Sequence, residues 1–181
     1  MGDVFGRYIS GISGDYLFHS VPYYSMSEED LELEEFNKLG EQASQGCVRL
    51  AVSDAKWVYD NCPTGTNVSI YDDAENAGPL GKPDAIKITD FTNKWDPTDS
   101  NKKCPYAKAT PIISGANNYT IKSGGEFYAL AGVTAVDTCG NDITSNIEVF
   151  GNVITTRKGK YKVTYSVTDA LKRTSSVTIT V

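Results

Sequence analysis

Hydrophobic and polar positions follow one pattern up to about residue 110 and another from Pro111 onward. In the first stretch the signals are mixed. The run Tyr16-Leu17-Phe18 predicts a strand that delivers His19 at its end. Ser27 is an acceptable helix N-cap with Asp30 three residues on, and Leu31, Leu33 and Phe36 give an incomplete apolar face over Glu28 to Lys38, with Gly40 as the stop. Ser53-Asp54 opens a second helix in which Ala55, Val58 and Tyr59 recur at helical spacing, and Cys62-Pro63 closes it. Trp57 is read as a packing residue, with a groove wall as its alternative. Thr64-Gly65 turns into a strand over Asn67 to Tyr71, where Val68 and Ile70 alternate with polar neighbours. Ile86 and Ile88 predict a further short strand, flanked by the turn-rich segments Gly78 to Pro83 and Trp95 to Ser100.

From Pro111 the pattern is all-β. Glu126 to Leu130, Val133 to Val136 and Ile147 to Val149 are strand candidates, and Tyr161, Val163, Tyr165 and Val167 alternate cleanly, as do Val177, Ile179 and Val181. Turns fall at Ser123 to Gly125, Cys139 to Asp142, Lys158-Gly159 and Asp169-Ala170. About seven strands in so short a stretch suit a small two-sheet sandwich. The organisation expected is a first domain over 1–90, a linker over 91–110 and a second domain over 111–181, mainly β with short helices.

Composition narrows the function. A net charge of −6 gives no basic stripe with which to displace counterions, which argues against a nucleic-acid partner. No run is long enough to span a bilayer. Met1 to Arg7 lacks the basic-then-apolar order of a signal peptide, so an exported protein would have carried its signal in a preceding segment. Cys47, Cys62, Cys104 and Cys139 form no CxxC pair, and one histidine completes no usual zinc set, so neither a metal nor a cofactor is expected. Cys62 and Cys104 could pair in an oxidising compartment, or all three accessory cysteines could be small buried residues.

The candidate chemistry lies at Ser44-Gln45-Gly46-Cys47-Val48-Arg49-Leu50, with His19, the sole histidine, upstream in Phe18-His19-Ser20. A free thiol titrates near ~8.5, so a nucleophilic Cys47 needs activation, and His19 is the available imidazole. Gly46 allows close approach of a substrate carbonyl, and backbone N–H groups around Gly46 and Cys47 are candidate oxyanion donors. The plain alternatives are a buried apolar cysteine and a structural histidine.

These residues, together with Val21-Pro22-Tyr23, Leu39-Gly40, Asp54-Ala55-Lys56-Trp57-Val58-Tyr59-Asp60 and Gly65-Thr66-Asn67-Val68-Ser69-Ile70, resemble the L,D-transpeptidase (YkuD-like) catalytic domain over residues 6 to 73. The resemblance implies a partial L,D-transpeptidase β-sandwich, with the family's opening strands absent. It implies that Cys47 is the acyl-accepting nucleophile, His19 its base and later acid, and Ser20 the small residue that fixes the imidazole. Ser44 and Gly46 match the turn that presents the sulfur. Arg49 matches the basic residue after the cysteine, either to hold a substrate carboxylate or to brace the loop through a carboxylate such as Asp54. Gln45 stands where the family has a second histidine; it can hydrogen-bond but cannot shuttle protons. The long segment between His19 and Cys47 carries Glu28, Glu29, Asp30, Glu32, Glu34 and Glu35, read as a solvated face or as a lid.

Residues 111 to 181, with Gly159-x-Tyr161-x-Val163-x-Tyr165-x-Val167-x-Asp169, resemble bacterial immunoglobulin-like surface domains, which implies a spacer or adhesive module. The combined resemblance implies an enzyme of the cell surface or wall that cross-links peptidoglycan stem peptides through a Cys47 thioester and is open to carbapenem acylation. If water replaces the acceptor amine, the same site is an L,D-carboxypeptidase. A non-catalytic wall-binding or adhesion protein is the reading from another class. The order His before Cys disfavours a papain-like enzyme, and Ala43 to Cys47 lacks the strand sequence of a sortase.

Overall fold

A computed structural model describes residues 4–73, 75, 78, 81 and 83–181; Met1 to Asp3, and part of the turn-rich stretch at 78–83, lie outside the described residues. The chain divides into two compact units, Met1–Ala107 and Lys108–Val181. Across both it is mainly β with short helices.

The first unit holds a three-stranded sheet in the order β1-β2-β3, with β1 at Ser10–Ser13, β2 at Tyr16–Ser20 and β3 at Val48–Leu50. β1 and β2 form an antiparallel hairpin whose turn uses Gly14 at φ +55°. β2 and β3 run parallel. Parallel neighbours need a crossover of a dozen or more residues, and residues 21–47 are that crossover. It is built into the interior: Leu31, Leu33 and Phe36 join Val21, Tyr23, Ala51, Val52 and Ile88 in one core. Its backbone is pinned as well, with Leu31 N–H donating to the Lys94 carbonyl and Glu32 N–H to that of Pro22. A segment so anchored is not a lid.

The crossover helix α1 spans Leu33–Phe36, far less than the 28–38 expected. Residues ahead of it are drawn into bridges and backbone bonds with Tyr23, Tyr24 and Lys94, so tertiary pairing outcompetes a helix already weakened by adjacent carboxylates.

Helix α2, Val52–Asn61, forms where the spacing places it, but its N-terminus is capped from far along the chain. Asp96 Oδ2 accepts from Val52 N–H (2.9 Å), and Thr98 Oγ1 accepts from Ser53 N–H (3.1 Å). Residues 91–110, expected as a linker, therefore behave otherwise in their central part: Trp95, Asp96, Asp99, Cys104 and Tyr106 are buried. Arg7 ties the same segment in, paired with Asp99 (2.6 Å) and Glu28 (3.1 Å) and lying over the rings of Tyr8 and Tyr23. Burial pushes the Asp96 carboxyl up from its ordinary value, against the pull of the Thr98 and Val52 donors.

Two expected strands are absent. Residues 67–71 have no ladder partner, and Val68 and Ile70 are exposed. At 86–88 the place of a neighbouring strand is taken by one side chain: Asn37 Nδ2 donates to the Ile88 carbonyl (2.8 Å) and its Oδ1 accepts from Ile88 N–H (2.7 Å). Trp57, expected to pack, is 62% exposed.

The second unit has two sheets: β4 (Ile112–Ser114) with β5 (Thr134–Val136), and β6 (Glu148–Phe150), β7 (Lys162–Thr168) and β8 (Thr174–Thr180) in that order. Ala135 from one sheet and Val163, Tyr165, Val167 and Ile179 from the other share a core. β4, from Ile112-Ile113-Ser114, is a strand the periodicity did not mark. Glu126 to Leu130 is not a strand; the Tyr165 hydroxyl donates to the Ala129 carbonyl (2.6 Å) and fixes this segment over the core. Asp169 is buried and paired with Arg173 (2.8 Å) across the β7–β8 hairpin.

Candidate active site

The parallel register pairs Phe18 with Val48, His19 with Arg49 and Ser20 with Leu50. Cys47 immediately precedes Val48, the first registered residue of β3.

Ser20 organises the histidine end. Its hydroxyl, fully buried, donates to the Val21 carbonyl (2.8 Å) and accepts from Arg7 N–H (2.9 Å). Its carbonyl accepts from His19 Nδ1 (2.6 Å). A carbonyl only accepts, so the neutral ring carries its proton on Nδ1 and presents Nε2 as the basic nitrogen. The other support is Gly6: a Cβ there would lie 3.3 Å from His19 Nδ1, so glycine lets the backbone back the imidazole.

At the cysteine end the turn is self-bonded. Ser44 Oγ accepts from Gly46 N–H (3.1 Å) and donates to the Cys47 carbonyl (2.5 Å). Gly46 sits at φ +145°, and a Cβ there would meet the Tyr16 ring at 2.3 Å. The Gly46 N–H, expected as an oxyanion donor, is thus engaged with Ser44. Gln45 is exposed, and Cys47 is half-buried. The Cys47 thiol points to the Asp15 carbonyl at 3.8 Å, and no hydrogen bond joins it to His19.

Arg49 has a partner, and it is not Asp54. Its guanidinium pairs with Glu35, which also binds Lys38. Lys38 and Arg49, in that order, hold the Glu35 carboxyl below the usual carboxylate range against the effect of burial. A cleft of about 320 Å³ opens beside the sulfur, lined by Cys47, Arg49, Glu35, Lys38, Leu39 and Ser44 among others. His19 is not on its wall. Among the described residues no disulfide joins the four cysteines, and no group of His, Cys, Asp and Glu is placed to hold a metal. No helix of the described residues is long and apolar enough to cross a membrane.

Sequence reasoning missed Gly6, Tyr16, the Asp15 carbonyl and Glu35. The first three have no local signature. Glu35 lay inside the acidic run and was indistinguishable from its neighbours until folding set it against Arg49.

Comparison with known proteins gives one match for each part of the chain. Residues 4–70 match the L,D-transpeptidase catalytic domain family, and residues 111–181 match the bacterial surface protein Ig-like domain family. The first match lies within the N-terminal unit and the second within the C-terminal unit. The "Putative L,D-transpeptidase YciB" of Bacillus subtilis (strain 168) is 49% identical over 57 residues, which is 32% of this chain and 28% of that protein. The chain therefore spans little more than a quarter of the length of this relative. Two structures from Clostridium perfringens ZmpB, the M60 catalytic domain with CBM51-1 and CBM51-2, and CBM51-2 in complex with GlcNAc and INT domains, are each 30% identical over 39% of this chain. They are covered to 8% and 16%, with TM-scores of 0.36, too low to carry a structural argument.

Proposed function

We propose that the first unit performs cysteine-dependent acyl transfer on peptidoglycan stem peptides, as an L,D-transpeptidase. The observation that carries the reading is the contact of His19 Nδ1 with the Ser20 carbonyl, which leaves Nε2 as the basic nitrogen on a strand whose parallel neighbour begins one residue after Cys47. The reading requires the Cys47 side chain to leave the Asp15 carbonyl and meet the imidazole. His19 Nε2 then takes the thiol proton as Sγ attacks the carbonyl of the third stem residue. The bond to the terminal D-alanine breaks, and the proton leaves on its amine. A side-chain amine of a second stem attacks the thioester, its C–N bond forms as C–S breaks, and its proton returns through His19 to the sulfur. With Gly46 N–H engaged, the Cys47 amide is the donor assigned to the oxyanion. Location at the cell surface follows from the pairing of a wall-enzyme family with a surface Ig-like family.

The test is intact-mass analysis of the chain after exposure to a carbapenem. One adduct is expected on the native chain, none on Cys47→Ala, and a slower one on His19→Ala. A native chain that stays unmodified, with its thiol intact, would sink the enzyme reading. It would favour the non-catalytic wall-binding reading, to which the present Cys47–Asp15 contact lends its weight.

A further inference from the structure

We infer that the second unit binds an anionic, phosphodiester-linked polyol or sugar polymer in a groove beside the ends of β7 and β8. The groove encloses about 730 Å³, within the range of small-ligand sites. Tyr119, Ile154 and Tyr161 give it apolar surface, and Arg157, Lys158 and Lys160 line it too. No acidic side chain does. Among the described residues the ion pair of this unit joins Arg173 to Asp169, and none involves these three cations.

Charge is divided unevenly along the chain. Lys108–Val181 carries eight basic and five acidic residues, whereas Met1–Ala107 carries nine basic and eighteen acidic. A protein acidic overall thus concentrates unpaired positive charge at one groove. Excess cations without carboxylates attract polyanions, and guanidinium and ammonium groups suit phosphate oxygens.

The walls are held in place before any ligand arrives. Tyr119 N–H donates to the Thr180 carbonyl (2.9 Å), and Thr180 N–H to Asn118 Oδ1 (2.9 Å), which lays the first wall along β8. On the other wall Gly124 N–H reaches the Thr155 carbonyl (2.8 Å), and the Tyr161 hydroxyl donates to the Arg157 carbonyl (2.7 Å). The Tyr161 ring lies close against Gly159, where a Cβ would stand 3.2 Å from it. The Tyr161 and Tyr119 rings on the groove wall are platforms for the C–H groups of a polyol or sugar. The polymer's carbons lie on the tyrosines while its phosphates meet the cations.

The test uses the full chain and a fluorescent poly(glycerol phosphate) of about ten repeats, followed by anisotropy. Saturable binding is expected at low salt, weakening about tenfold or more between roughly 0.05 and 0.5 M salt because ionic contacts are screened. Lys158→Glu with Lys160→Glu should weaken it at least about tenfold, while Lys172→Glu, a single charge reversal at the far hairpin of β7 and β8, should leave it within about twofold. Tyr119→Ala should cost roughly fivefold without changing the salt dependence. Both reversed lysines are exposed, so these variants keep their fold, and the salt titration needs no variant at all. Three results overturn the proposal: no saturable binding, equal loss with Lys172→Glu, or equally tight binding of a single-stranded DNA of the same charge. The last would make the groove a general polyanion or nucleic-acid site.

Discussion

Replacing Gly46 by alanine tests whether the turn before Cys47 is built as described. Two costs are expected. Backbone at φ +145° is a region that L side chains rarely adopt, worth about 1–3 kcal/mol for a non-glycine residue. The new Cβ would also lie 2.3 Å from Tyr16 Cε1, so the ring must leave. Tyr16 is 54% exposed and can swing into solvent, so this second cost is the smaller, well under ~1 kcal/mol. The two separate in a double mutant. Tyr16→Ala removes the clash but not the backbone strain, so Gly46→Ala should cost nearly as much in the Tyr16→Ala background as alone. Both tryptophans, Trp57 and Trp95, lie in the first unit, and Trp95 is buried, so tryptophan fluorescence during urea unfolding reports that unit alone. If Gly46→Ala is neutral by this measure, or if Tyr16→Ala abolishes its cost, the strain argument is wrong. Carbapenem acylation should fall in both glycine variants, because the strained backbone is the one that presents the sulfur.

Asp96→Asn should destabilise the first unit by about 1–3 kcal/mol in the same assay, because both carboxylate oxygens accept hydrogen bonds and an amide NH2 would face a donor on one side; a neutral or stabilising result would show that relief of the buried charge dominates. Glu35 has a depressed folded pKa, so its contribution is present above its unfolded pKa and is lost as pH falls through the folded value; Glu35→Gln should cost up to ~1 kcal/mol near neutrality and flatten the loss of stability below about pH 4.5, and an unchanged acid limb would contradict the Arg49 brace. Burial raises the Cys139 thiol to about 11 and pushes Cys104 up as well, so brief native alkylation near pH 8 should label Cys47 and Cys62 and spare the other two, as read by peptide mass spectrometry.

The elements that the sequence marks most clearly are those fixed by short-range pattern. β2, α2, β7 and β8 stand close to where alternation or helical spacing placed them, because their apolar faces coincide with the cores they bury against. What was not legible is what depends on partners far along the chain. Ser10-Gly11-Ile12-Ser13 has little strand character and becomes one by pairing with β2. Val48–Leu50, seen only as the tail of a turn, becomes a strand because β2 offers a parallel edge. Conversely, residues 67–71 alternate well and still lack a ladder. At the candidate site, the histidine, the cysteine and the glycine were readable as chemistry. That Arg49 would brace against Glu35 and not Asp54, and that Ser44 would engage the Gly46 amide, were not, since each depends on a side-chain rotamer and not on residue order.

The long-range cap on α2 has a practical consequence. The stretch that matches the catalytic family stops at residue 70, yet Asp96 and Thr98 finish the helix that starts just after Cys47. An expression fragment trimmed to the family boundary would discard those acceptors along with Trp95 and Ile88. It would leave two helix amides unsatisfied and part of the interior wet. Cloning limits for the first unit therefore belong after Ala107, where the polypeptide itself divides.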